Sequence, residues 1–459
     1  MSPSGCRAGT AKAEITPPLT IPYLGFVPRQ APFEGIHDAL HARALVADDG
    51  DRQVAVVTAD AIGFSDRILG PGRSFRQEFR RQVSQRSGLD PEAVMLAASH
   101  AHSTPETLDI TPLHEVDGAV SWAEGLAAQL AELVAEARSR LQPARLKAGS
   151  GRAEGIAANR RQLLRDGSFW QPAHGDPSGP VVRTGQTDEE VGVLLVELED
   201  GTCSALVNFT CHPVSVQVQP LVSADYPGAA CSLVEDVIPE LQHCLFTQGA
   251  CGNINPRGGG MHRSFADVSR YGHLLGSAVI GVVERLRVPE VGAMSPTVGA
   301  ATVNMELPVR DLPPPQPYRE ARDRARARVE AVGDGEGAFE AANALRSAEE
   351  TLRTVEMEDA PLATVSQAIR LGEVCLAGCP GEPFVELGLE IKAQSPAPRT
   401  FVVGYANDYA GYLSTPAAFA EGGYETSLGP WCRVAPEGGR QCVDAVLGLA
   451  RTLFIDDGQ

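Results

Sequence analysis

No stretch of this sequence approaches the roughly 20 consecutive apolar residues that cross a bilayer, so a helical membrane span is not expected. The opening "MSPSGCRAGTAKAEITPP" has no apolar leader core, and Cys6 lacks the surroundings of a lipidation site; the expected location is the cytoplasm. Ten cysteines (6, 203, 211, 231, 244, 251, 375, 379, 432, 442) contain no C-x-x-C pair and none of the dense spacing of a disulfide scaffold, which leaves packed free thiols as the expectation. Positive charge is also scarce. Against 58 Asp+Glu stand 39 Lys+Arg, and the formal charge of -19 disfavours nucleic acid and anionic membrane surfaces as partners. No internal repeat is present, and the proline cluster in "LPPPQPY" (312–318) is the one low-complexity feature.

What is present suits a soluble globular protein with a sizeable core: 43% hydrophobic and 21% charged residues over 459 positions. Short β-branched runs recur, among them "QVAVVTAD", "AVMLAASH", "VGVLLVELEDG", "CSALVNFTCHP", "CLFTQGACGN", "EVCLAGCPGE" and "TFVVGYANDY". Helical spacing of apolar residues lies between them, around 74–88, 121–140, 226–238, 264–287 and 383–394. The fold expected is α/β, with mixed β-sheets flanked by helices. Asp200-Gly201 between two apolar runs predicts a hairpin, so antiparallel strands are present. From 313 to 357 the composition shifts to Arg, Ala and Glu, which predicts a helical hairpin broken at "GDGEG" and inserted into a single catalytic unit spanning 1–459. Acidic residues alternate through its run "REARDRARAR", so this reads as a solvated helix face.

Four strand exits carry residues with chemistry. "SHAHSTP" (99–105) sets His100 and His102 two apart, and in an extended strand such residues project from one face. Zinc commonly takes imidazole ligands, but a catalytic site needs about three protein groups with a position left open. "VNFTCHPVSV" ends a second strand at His212, and "CLAGCPGEPF" leaves a third through a Pro-Gly turn at Glu382. "YANDYAGYLSTP" supplies Asn407, Asp408, Tyr409 and Tyr412. Taken singly, each stretch admits a bland reading: a hydrogen-bonded histidine, a helix N-terminal carboxylate, packed tyrosines. Cys211 beside His212 reads as a buried small hydrophobe.

Together these segments resemble the neutral ceramidase family, the zinc-dependent neutral/alkaline non-lysosomal ceramidases. The resemblance runs through "AGTAKAEITPP", "GIHDALHARALV", "VVTAD", "VMLAASHAHSTP", "GIAANRR", "VNFTCHP", "SADYPG", "TQGACGNINP", "CPGEPF" and "YANDYAGYLSTPAAFAEGGYE", in that order. It implies a ceramidase-like catalytic domain in which His100, His212, Glu382 and Tyr412 hold Zn2+. It places His102, Arg160 of "ANRR" and Tyr424 of "GGYE" around the substrate carbonyl and its oxyanion. The implied activity is hydrolysis of an N-acyl (amide) bond by a metal-activated water. The chain departs from the family at "GNINPR", where Asn253, Asn255 and Arg257 stand in place of the Asp, Ser and Asn of the family's G-D-V/I-S-P-N. Any serine role is gone; Asn255 could donate to a carbonyl or shape the turn, and Arg257 could meet an anionic substrate group or a neighbouring acid. The signal peptide and C-terminal β-domain of the secreted ceramidases have no counterpart in the sequence, so a small cytoplasmic N-acyl compound is the expected substrate, without stable membrane association. Ester or lactone hydrolysis, an elimination or a cyclisation on the same scaffold is the alternative, followed by a non-catalytic binding protein. The sequence leaves the oligomeric state open.

Overall fold

A computed structural model describes residues 5–23, 32–170, 179–217, 219–257, 264–357 and 360–455. Eight strands form one sheet in the order Leu241–Gln248, Cys203–Phe209, Glu190–Leu198, Gln142–Arg152, Arg7–Glu14, His41–Asp48, Gln53–Ala59, Val94–Ala98. Inner pairs are antiparallel, and the expected hairpin joins Glu190–Leu198 to Cys203–Phe209 with Gly201 at φ +87°. At each edge the last two strands are parallel. Each of these parallel pairs is joined by a crossover helix, Phe75–Ser87 on one side and Asp225–Val237 on the other.

A second sheet, ordered Val298–Leu307, Leu362–Leu371, Val374–Gly378, Arg399–Val403, lies against the first. Its last pair is again parallel, with helix Val385–Gln394 between the strands. Alternation along the strands builds the layers. Val193 and Leu195 pack with residues of the helices Phe75–Ser87, Ala119–Ser139, Asp225–Val237 and Phe265–Arg287. Leu194 and Val196 face the other way, onto Ile369, Leu376 and Phe401 of the second sheet. The outer face of the second sheet, with Ala368, Cys375 and Val402, is covered by Val385–Gln394 and the C-terminal helix Gly438–Phe454. The result is a helix–sheet–sheet–helix stack. Gly192 permits the close approach of the sheets, since a Cβ there would lie 2.4 Å from the Phe401 ring.

Helices Gln316–Val332 and Ala338–Val355 form a hairpin on either side of the glycine-rich turn. The first has no buried residue and pairs its arginines with acids, Arg319 with Glu356 and Arg326 with Glu349. All ten cysteines are buried, and none forms a disulfide. Among the described residues, no helix is long and apolar enough to cross a membrane.

Candidate active site

The carboxyl ends of the three parallel strand pairs come together at one point, as open α/β sheets place their sites. Backbone bonds knit them: Gly404 N donates to Gln248 O (2.9 Å), Asn407 N to Leu96 O (2.7 Å) and Ala406 N to Cys379 O (3.0 Å). Gln248, fully buried, saturates its amide within this junction. Its Nε2 donates to Ser99 O (3.1 Å) and Cys211 O (2.8 Å), and its Oε1 accepts from Cys211 N (3.2 Å) and Gly249 N (3.1 Å). It therefore ties the loop carrying His100 to the loop carrying His212.

The strand before His100 ends at Ala98, and His100 itself sits in the left-handed region at φ 67°. This differs from the extended backbone expected over 99–102. His100 and His102 converge because the chain turns, held by His100 N to Ala61 O (2.8 Å), and their Nε2 atoms lie 3.2 Å apart. His212 completes a buried group of three histidines whose ligand atoms lie within 4.8 Å of one another. Glu382 Oε2 is 3.1 Å from His212 Nε2 and 3.6 Å from His100 Nε2. Tyr412 is the register partner of Glu382 on the adjoining parallel strand, which puts the two side chains on the same face.

The imidazoles are oriented from behind. His100 Nδ1 faces Ile62 O at 2.6 Å, and His212 Nδ1 faces Cys251 O at 2.6 Å and Ile254 O at 3.1 Å. A carbonyl only accepts, so each Nδ1 carries the proton and each Nε2 turns a lone pair inward. Burial keeps His100 neutral, its pKa pushed down to about 3. Burial works to raise the Glu382 carboxyl, and the hydrogen bond from the Tyr409 hydroxyl works to lower it. Tyr409 donates to Oε1 at 2.6 Å and Tyr405 to Oε2 at 3.3 Å. Lone pairs and a carboxylate aimed at a common point repel unless a cation lies between them, and this donor set suits a divalent first-row metal.

Beside this group Arg160 is buried and spends its guanidinium on four partners. Nε donates to Glu425 (2.8 Å), Nη1 to Asn255 Oδ1 (3.2 Å), and Nη2 to Gly252 O (2.7 Å) and to the Tyr412 hydroxyl (2.8 Å). Burial works against the Arg160 charge, yet Tyr412 and Glu425 raise its pKa above the ordinary value. Burial also pushes the Tyr412 phenol well up, with Arg160 opposing. Gly252 is required here, because a Cβ would meet Glu382 O at 2.6 Å.

The family model for neutral/alkaline non-lysosomal ceramidase, N-terminal, matches residues 7–304, about two thirds of the sequence. The chain belongs to the neutral/alkaline non-lysosomal ceramidase family. Among solved structures, neutral ceramidase from Pseudomonas aeruginosa superposes with a TM-score of 0.70 at 20% identity, covering 99% of this chain and 76% of that one. A ceramidase complexed with C2 superposes with a TM-score of 0.71 at 21% identity, covering 99% and 77%. The mixed, helix-flanked sheets are thus the fold of these ceramidases, and family membership supports a hydrolase of amide C–N bonds.

The structure brings His100, His102, His212, Glu382, Tyr412, Arg160 and Asn255 into one contiguous set. Tyr424 lies at its margin, its ring 6.0 Å from that of Tyr412, beneath the Arg160 guanidinium at 5.8 Å and stacked on Trp431. Arg257 is turned to Glu189 (3.2 Å) and Ala157 O (3.1 Å), the neighbouring-acid alternative. Sequence reasoning did not find Glu425, which bridges Arg160 and Arg161 from full burial, or the roles of Gln248 and Tyr405. Glu425 adjoins Tyr424 in "GGYE", but nothing local marks it as the counter-ion of residues 264 and 265 positions away.

Proposed function

We propose that this chain is a zinc-dependent amidohydrolase cleaving the N-acyl bond of a small substrate. The convergence of the His100, His102 and His212 Nε2 atoms with the Glu382 carboxylate carries the reading, and family membership supports amides as the bond cleaved. His100, His212, Glu382 and Tyr412 would hold the metal. A divalent ion there supplies Lewis-acid polarisation of a carbonyl and lowers the pKa of water from 15.7 toward about 7.

The chain's own residues do the rest. His102 Nε2 lies 3.2 Å from His100 Nε2, at the edge of the ligand group, and from there its imidazole passes a proton to the leaving amine. Arg160 and Tyr424 direct donors at charge developing on the scissile carbonyl oxygen, and losing one such donor typically costs about 100-fold in rate. The burial of Arg160 strengthens its interaction over the value in water. Ten buried thiols, none in a disulfide, support a reducing, cytoplasmic setting.

The test combines metal analysis with a substrate panel. Purified protein is expected to carry zinc, to lose it in His100→Ala and His212→Ala, and to hydrolyse N-acyl amines faster than matched esters or lactones. Full zinc content in both variants refutes the ligand assignment. Turnover confined to esters, lactones or non-acyl compounds refutes the amidase reading.

A further inference from the structure

Tyr424 stands on a single turn of 3-10 helix, Tyr424–Thr426, entered through Gly423 at φ 108°, and its side chain is only half-buried. So short a run has few hydrogen bonds of its own. The direction of the ring has to come from a neighbour, and that neighbour is Trp431. The indole stacks on the Tyr424 ring with centroids 5.1 Å apart and planes inclined at 26°, and its Nε1 donates to Tyr424 O at 3.3 Å.

The indole has one place to lie. It folds over the backbone of Gly429, where a Cβ would meet its ring atoms at 2.6 to 2.9 Å. The backbone of Trp431 is fixed to the site as well. Trp431 O accepts from Tyr412 N at 2.8 Å, and Gly411, at φ 92°, lacks the Cβ that would fall 2.4 Å from that same oxygen. The two tyrosines meet edge to face, at 78° with centroids 6.0 Å apart, and the Arg160 guanidinium lies 5.6 Å from the Tyr412 ring and 5.8 Å from the Tyr424 ring. The Tyr424 phenol is close enough to those of Tyr409 and Tyr412 for its charge to work against theirs, which turns its hydroxyl toward the metal-donor group. One residue thus holds Tyr412 through its backbone and Tyr424 through its ring.

We propose that Trp431 is a positioning residue whose indole aims the Tyr424 hydroxyl at the scissile carbonyl oxygen, so that it acts on the reaction through Tyr424. This deepens the amidohydrolase reading and rests on it for the role of Tyr424. A donor misplaced by about 1 Å loses up to about 100-fold in rate. The interaction lost is one made to charge that develops in the transition state, so the loss falls on kcat and leaves KM nearly unchanged.

The experiment is a double-mutant cycle of Trp431→Ala and Tyr424→Phe in the metal-replete protein, assayed on the amide the parent hydrolyses fastest, with crystal structures of the parent and of Trp431→Ala. Trp431→Ala is expected to keep its metal content, to displace the Tyr424 hydroxyl by about 1 Å, and to lower kcat about 10- to 100-fold with KM within about 2-fold. Trp431→Leu, which keeps part of the apolar volume but not the flat face, should do the same, and Trp431→Phe, which keeps the stack, should restore most of kcat. With Tyr424 already Phe, the change at Trp431 should cost nothing further in kcat, because the group through which it acts is gone. A Tyr424 ring unmoved in the Trp431→Ala structure, full kcat in both the Ala and Leu variants, or additive losses in the double variant overturns the proposal. Metal lost together with kcat transfers the effect to Tyr412 and overturns it too. Displacement of Tyr424 in a protein that hydrolyses no amide refutes the amidase reading alone.

Discussion

Removal of the Glu425 carboxylate is expected to damage stability and catalysis together. Its side chain is fully covered, with Oε1 2.8 Å from Arg160 Nε and Oε2 2.8 Å from Arg161 Nη1. Burial would raise the Glu425 carboxyl, but Arg160 and Arg161 together hold it below its ordinary value. The pair therefore contributes stability above the ordinary carboxyl range, lost as pH falls through the depressed folded value. Glu425→Ala leaves the buried Arg160 cation without a carboxylate, while Arg161 retains Glu421 at 3.2 Å. Breaking one buried pair costs about 3–5 kcal/mol, a large part of the roughly 5–15 kcal/mol by which a domain is stable. Glu425→Gln keeps the shape and one acceptor but turns an NH2 group toward a guanidinium, an expected loss of about 1–3 kcal/mol. In the alanine variant Arg160 loses the contact fixing its Nε edge and in the glutamine variant that contact loses its ionic partner, so its bond to Tyr412 loosens and amide turnover should fall about 100-fold. Urea midpoints at pH 7 measure the first effect and kcat the second, with Glu425→Gln keeping the catalytic readout accessible. An alanine variant within 0.5 kcal/mol of the parent, or a glutamine variant with full kcat, refutes the reasoning.

Burial pushes the Glu106 carboxyl up to about 7, against the pull of the Thr111 and Leu108 N–H groups. Between its ordinary value and about 7 the folded chain keeps a proton the unfolded chain has lost, so stability should fall as pH rises across that interval, by up to about 3 kcal/mol; a urea midpoint series showing the same slope in Glu106→Gln would falsify this. Gln248→Leu strands the Ser99 carbonyl and the Cys211 N–H group, whereas Cys211 O keeps the Tyr226 hydroxyl and Gly249 N keeps Phe209 O, and is expected to cost about 2–4 kcal/mol and to weaken zinc retention; unchanged metal content and melting temperature in that variant count against the junction described. Chelation should lower the melting temperature, since an ion bound only to the folded state at 1,000 times its Kd contributes about 4 kcal/mol. A scan unaltered after verified metal removal contradicts the proposed ligand set.

The sheet edges were legible because their strands are β-branched and end in turns, and the hairpin because Asp200-Gly201 suits its positive φ. The centre of the large sheet was not. Arg7–Glu14 reads "RAGTAKAE" and Gln142–Arg152 reads "QPARLKAGSGR", both poor in strand formers. Packing explains why: a Cβ on Gly9 would fall 2.2 Å from Ala137 O of the helix crossing it, and one on Gly151 would fall 2.8 Å from Val282. Small residues that admit the helices erase the local signature of the strand. Helix Gly438–Phe454 went unassigned although Cys442, Val443, Val446, Leu447 and Ala450 keep helical spacing. At the site, the metal-donor types were visible as strand-exit residues, but the geometry joining them was not. The same-face argument for His100 and His102 required an extended backbone, and their meeting depends on a positive φ that sequence does not announce.

That backbone conformation gives the site its preparation. His100, Tyr405 and Asn407 all occupy the left-handed region, at φ 67°, 55° and 64°, a conformation that costs non-glycine residues of order 1–3 kcal/mol each. The surroundings supply what offsets it. Asn407 accepts from Leu96 N (3.0 Å) and donates to Gln367 Oε1 (2.8 Å), and the Tyr405 ring stacks on His100 at 3.9 Å. These contacts join the strand Val94–Ala98, the loop that follows it and the strand Leu362–Leu371 to the loop after Val403, so the strain is held at the junction of two sheets. A donor set fixed in this way loses little freedom when an ion arrives, and its lone pairs meet at a distance only a shared cation relieves. The same rigidity keeps Arg160 between Tyr412 and Asn255, so the buried guanidinium is fixed beside the metal-donor group before any substrate arrives.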